Sequence, residues 1–147
     1  MDLKEEFARE LGRVSRRWRT RVDERLAKTG LTSARWTTLL QLSRSNEPLS
    51  QKDLAARVGI EGPTLVRLLD ALEEQGLIER QPSAQDRRVK IVRLTRAARP
   101  VLNQIERIAR EVREEVLGAV RSSDLKMCTA VLRAIGDRLE KTSDVDR

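Results

Sequence analysis

Apolar side chains at Leu3, Phe7, Leu11, Val14, Trp18, Val22 and Leu26 follow one another at steps of three or four. That spacing is the repeat of an α-helix seen from one side, so the first segment reads as one amphipathic helix of about six turns. Its stripe needs a surface to pack on. The remaining core must be aliphatic, because aromatics are 2% of the 147 residues and Tyr is absent. Leu, Val, Ile and Ala carry the packing, which suits helices better than a β-sandwich. With 39% hydrophobic residues beside 36% charged ones, the chain has enough apolar material for one folded domain.

Thr29-Gly30 ends the first helix, and Thr32 or Ser33 can cap a second that carries Trp36, Leu39, Leu40 and Leu42. Ser50-Gln51-Lys52-Asp53 resembles a capping box, with Leu49 placed to staple it. A short helix comes next, burying Leu54, Ala55 and Val58 and stopping at Gly59. Pro63 opens another, which buries Leu65, Leu68, Leu69 and Leu72 and ends at Gly76. Helix, tight turn and helix over residues 50–75 have the size of a helix-turn-helix unit, although any αα-hairpin shares that pattern.

Residues 77–94 narrow the choice. Leu77-Ile78-Glu79-Arg80 and Val89-Lys90-Ile91-Val92-Arg93-Leu94 read as two short strands around a polar loop over 81–88. A hairpin with a basic tip behind a helix-turn-helix makes a wing. Thr95 can cap a fifth helix with Leu102, Ile105, Ala109, Val112 and Val116 on one face, and Pro100 either kinks its first turn or marks its start. Ser122 or Ser123 opens a sixth, whose Leu125, Cys128, Leu132, Ile135 and Leu139 form a coiled-coil-like seam.

The expected fold is mainly α with a small β-hairpin wing, a winged helix-turn-helix. Residues 1–30 form an N-terminal dimerisation helix, 31–99 the winged unit and 100–147 the C-terminal dimerisation helices, all within one compact domain. The long helices carry more apolar stripe than the chain can cover, and a second copy is the cheapest cover. An intertwined homodimer through the N- and C-terminal helices is expected.

The formal charge of +7 is unevenly spread. Within 80–99, Arg80, Arg87, Arg88, Lys90, Arg93, Arg96 and Arg99 face a single acid, Asp86, which suggests a polyanion partner. With no His, Ser-His-Asp and Cys-His catalysis and His metal sites are ruled out, and one Cys rules out a disulfide framework and Cys-rich metal sites. No cofactor or metal is expected, and no enzymatic activity. No run approaches a membrane span, and the start Met1-Asp2-Leu3-Lys4-Glu5-Glu6 is unlike a signal peptide. A cytoplasmic protein without membrane contact is expected.

The run Gly59-Ile60-Glu61-Gly62-Pro63-Thr64-Leu65-Val66-Arg67, the step Leu72-Glu73-Glu74-Gln75-Gly76-Leu77-Ile78, and Asp86-Arg87-Arg88 with Leu94-Thr95 behind it resemble the MarR family of winged-helix regulators. Trp18 and Leu31-Thr32-x-x-x-Trp36 are most similar to its SlyA-like branch. The resemblance implies a two-fold dimer on a pseudopalindromic operator, with recognition helices in successive major grooves and wings in the flanking minor grooves. It also implies a repressor or activator that answers to an aromatic carboxylate held between the dimerisation helices and the winged unit.

By that analogy Arg88 enters the minor groove, where a guanidinium reads the narrow, electronegative shape of A·T-rich DNA. Asp86 and Arg87 hold the hairpin, the carboxylate pairing a guanidinium. Pro63, Thr64 and Arg67 lie on the first two turns of the recognition helix, where Arg67 reaches a guanine or a phosphate. Arg67 can equally be a surface residue paired with Asp70 three positions on. Ser50, Gln51 and Lys52 suit phosphate contacts, with capping alone sufficient for Ser50. Trp18 and Trp36 would flank the effector crevice, with Arg16 or Arg17 as carboxylate partner and Thr32 nearby; plain core packing of both rings is the competing reading. Peroxide-sensing relatives carry a Cys near the start of the first helix, and here the Cys is Cys128, which suits seam packing instead. Two alternatives of other classes stand beside this one: a nonspecific, nucleoid-type architectural DNA binder, and a helical module whose wing contacts protein.

Overall fold

The computed structural model describes residues 2–143. Helix α1 runs Leu3–Ala27, capped by the Asp2 carboxylate, which accepts from the Lys4 amide, and the turn after it closes at Gly30 with φ +79°. Helix α2 spans Ser33–Arg44, with the Thr32 hydroxyl accepting from the Arg35 amide at 3.4 Å. A two-residue strand β1, Leu49–Ser50, leads into α3, Gln51–Val58. The Ser50 hydroxyl caps α3 by accepting from the Asp53 amide at 3.1 Å, and left-handed Gly59 closes it. Then come α4, Gly62–Glu74, strands β2, Ile78–Pro82, and β3, Lys90–Leu94, and helices α5, Ala98–Leu117, and α6, Ser122–Ser143.

The sheet has three strands in the order β1-β3-β2, one more than the expected hairpin. Leu49 pairs with Val92 and Ser50 with Ile91, while β2 meets β3 antiparallel from Ile78↔Leu94 to Pro82↔Lys90. Leu49, expected as a staple for the α3 cap, is buried as part of the sheet. Pro82 is tolerated because β2 is an edge strand.

Thr95 does not cap α5. Its amide donates to the Leu77 carbonyl at 3.0 Å and its hydroxyl donates to the Gly76 carbonyl, so the wing root takes both groups. α5 begins three residues later, which puts Pro100 in the first turn, where a missing N–H costs no helical bond.

The chain divides into two compact units, one ending at Val112 and the other starting at Arg113. The first holds the core: Val22 and Leu26 of α1, Leu39, Leu40 and Leu42 of α2, Leu54 of α3, Leu65, Leu69 and Leu72 of α4, Ile78 and Val92 of the sheet, and Ile105, Ile108 and Val112 of α5. Toward its N-terminus the α1 stripe is exposed at Leu3, Phe7, Leu11 and Val14. In the second unit Met127, Val131, Leu132 and Leu139 of α6 are exposed, and so is Cys128, for which seam packing is the expectation.

Candidate nucleic-acid interface

Helix α4 buries Leu65, Leu69 and Leu72 and turns Pro63, Thr64, Val66 and Arg67 to solvent. Its start has no side-chain cap: Glu61 occupies the capping position without bonding the first amides. A Cβ added at Gly62 would meet nothing within 4 Å, so the entry to α4 is bare and approachable, as an anion-facing helix start requires. The structure therefore brings the predicted Pro63, Thr64 and Arg67 onto one open face. It adds Val66, which the apolar periodicity leaves unassigned because it falls off the buried stripe.

The C-terminal end of α4 is fixed. Left-handed Gly76 donates to the Glu73 carbonyl at 2.9 Å and the Leu77 amide donates to the Leu72 carbonyl at 3.0 Å. This is the paired closure in which glycine supplies the positive φ. The chain passes from there into the wing.

At the wing tip, the Asp86 carboxylate accepts from the Arg88 amide at 3.0 Å and from Arg88 Nε at 3.3 Å. This is an aspartate turn that shapes the loop locally. The guanidinium that Asp86 meets is that of Arg88 and not that of Arg87. The Arg88 side chain is nevertheless 92% exposed, and Arg87 is exposed beside it.

Arg80 departs from the sequence-based expectation. It belongs by position to the basic run, yet it turns inward: its guanidinium meets Asp70 and Glu73 of α4, and Nη1 donates to the Gln51 side-chain oxygen of α3 at 3.4 Å. Burial pulls its pKa down, but the hydrogen bonds to Glu73 and Asp70 outweigh that and leave it above the ordinary arginine value. Asp70 thus pairs with Arg80 and not with Arg67, which has no ion pair among the described residues. Gln51, a predicted phosphate contact, is half-buried with its oxygen on Arg80, while Lys52 is exposed and Ser50 is engaged as a cap.

The predicted effector residues are arranged differently. Trp18 and Trp36 both pack against the core, and the Trp36 indole N–H donates to Asp23 at 2.6 Å, tying α2 to α1. A carboxylate thus sits on the polar end of the ring expected to face an acid. Thr32 serves as the α2 cap, and Arg16 and Arg17 are exposed on α1. Surface cavities of about 370 and 420 Å³ lie on either side of Leu94, and neither is lined by a tryptophan. Trp36→Phe is expected to cost about 1.5–3 kcal/mol, the worth of a hydrogen bond to a charged acceptor. A thermal melt at fixed protein concentration checks it; an unchanged Tm would show that the bond contributes nothing.

Among the described residues no group of three His, Cys, Asp or Glu could hold a metal ion, and no helix is long and apolar enough to cross a membrane. A family model for the MarR family matches residues 29–89. The crystal structure of transcriptional regulator PA3341 is 45% identical, with 92% of this chain and 98% of that one covered at a TM-score of 0.85. S. aureus MepR in its DNA-binding conformation is 25% identical, with 90% and 98% covered and a TM-score of 0.79. CouR from Rhodococcus jostii RHA1, bound to p-coumaroyl-CoA, is 24% identical, with 92% and 94% covered and a TM-score of 0.77.

Proposed function

The chain belongs to the MarR family of transcriptional regulators, and from that premise we propose that it works in the cytoplasm as a homodimeric repressor on a pseudopalindromic operator. One observation carries the reading: the uncapped start of α4 presents Pro63, Thr64, Val66 and Arg67 on one open face, and the wing behind it along the chain holds Arg88 92% exposed. In this reading α4 enters the major groove, where Arg67 contacts a guanine or a phosphate and the Val66 methyls suit a thymine methyl. Arg88 enters the minor groove. Arg87 and Lys52 neutralise phosphates.

The second copy covers the apolar stripes exposed on α1 and α6. An aromatic carboxylate lies against Trp18 with Arg16 or Arg17 as its cation, and acts by favouring a dimer geometry that no longer matches the half-site spacing. CouR, which shares the fold, is bound to p-coumaroyl-CoA, the thioester of an aromatic acid, which supports an aromatic effector for this chain. Trp18 and the Leu31-Thr32-x-x-x-Trp36 element favour the SlyA-like branch within the family.

Fluorescence anisotropy on DNA from upstream of the chain's own gene, beside an unrelated duplex and across a salt series, tests this. A preference of roughly 10³-fold or more is expected at physiological salt. Equal affinity for both duplexes would favour an architectural DNA binder or an operator elsewhere. Arg88→Ala should weaken binding and lower the salt slope by about one unit per arginine removed; an unchanged slope would take the wing out of the interface.

A further inference from the structure

The outer side of α4 carries two carboxylates, Asp70 and Glu73, in the turns beyond Arg67. On a helix that approaches a polyanion, such charges repel the partner unless something answers them. Arg80 answers both at once and reaches Gln51 with a third nitrogen. Its side chain is 20% exposed, whereas Asp70 and Glu73 are 58% and 41% exposed. The guanidinium is therefore the enclosed member of the cluster, and each of its three nitrogens donates to a protein oxygen.

Three elements converge on this one side chain: β2 of the wing, which carries it, α4 and the start of α3. A planar guanidinium with fixed donor directions sets the relative orientation of the groups it bonds, which a point charge on a flexible stem does not. We infer that Arg80 is a positioning residue, which locks the wing and α3 to the recognition helix so that Arg88 and the α4 face meet the operator in register. It is not one of the DNA-contacting cations.

The inference rests on the DNA-binding function proposed for the chain and goes further, because it makes the specificity of the reading residues depend on a contact that touches no nucleotide. Misplacing pre-aligned groups by about 1 Å is costly wherever recognition depends on several at once, and the loss falls on specific binding, since nonspecific binding needs only charge.

The test uses a duplex selected by the wild-type chain from a random pool, a scrambled duplex of equal length, and anisotropy at several salt concentrations. Arg80→Lys keeps the charge and loses the fork; it is expected to reduce the preference for the selected duplex by roughly tenfold or more, within the range of coupling between contacting groups. Asp70→Asn with Glu73→Gln removes two negative charges from α4. Electrostatics alone predicts tighter binding to both duplexes, whereas a lost clamp predicts weaker binding to the selected duplex and equal or tighter binding to the scrambled one.

Thermal melts verify that each variant is folded at the assay temperature. Should the lysine variant not fold, Glu73→Gln alone carries the comparison. A selectivity ratio unchanged from wild type in folded variants, or tighter binding of the selected duplex by the amide variants, overturns the inference. A wild-type chain that binds DNA with no preference for any sequence overturns the sequence-specific reading and the inference with it.

Discussion

Leu132→Asp is expected to leave the chain monomeric and to reduce operator binding by about a hundredfold or more. Leu132 is 45% exposed on α6, on the seam that repeats at three and four residues. In the proposed dimer that exposure is lost to the second copy, so an aspartate there becomes a buried charge without a partner. Such a charge costs about 3–5 kcal/mol, and each 1.4 kcal/mol is roughly a factor of ten in association. Operator binding falls with it, because one winged unit on one half-site gives up the second set of contacts. Sedimentation velocity across a concentration series reads the first effect and anisotropy the second. A Leu132→Asp chain that remains dimeric would move the interface off α6.

The other large effect lies in the core. Leu69→Ala should destabilise the chain by about 3–4 kcal/mol, because the side chain is fully buried in the middle of α4 and its removal leaves a cavity that its neighbours fill only in part. Against the roughly 5–15 kcal/mol that holds a domain of this size folded, that is a substantial share. Urea unfolding at fixed protein concentration measures it. A loss below about 1 kcal/mol would mean that α4 relaxes freely, which would also contradict the rigid reading role proposed for it.

The helices are legible in the sequence because each is a run of apolar residues at one period, closed by a residue with a specific backbone preference. Gly30, Gly59 and Gly76 all adopt positive φ where helix ends are expected from the pattern. Strand β1 is not legible: two residues cannot show alternation, and Leu49 acquires its meaning only from Val92, far along the chain. Thr95 misleads for a related reason. A threonine ahead of a helix looks like a cap, and nothing local reveals that the sheet will claim its amide and hydroxyl.

The candidate site divides in the same way. Pro63, Thr64, Arg67 and Arg88 can be found because helical phase and turn position fix their exposure. Arg80 escapes correct assignment because its partners lie seven and ten residues back on another element, beyond any i,i+3 or i,i+4 rule, so only its charge is visible. Trp36 likewise finds Asp23 across two helices. Asp86 is a hairpin-shaping carboxylate, as the motif suggests, but its partner is Arg88 and not the adjacent Arg87, since a turn that begins at Asp86 delivers the amide two positions on.

The wing is anchored at its root and not at its tip. Leu77 gives its amide to the end of α4 and accepts the Thr95 amide with its carbonyl, so the two strands leave the core from one cross-tied point. Beyond the last strand contact, Ser83 to Val89 at 2.8 Å, the loop is held by its own turn. Length is therefore a free parameter of this appendage. Residues can be gained or lost between Ser83 and Val89 while the root stays in place, so the reach of the tip arginine can change without redesigning the fold that carries it.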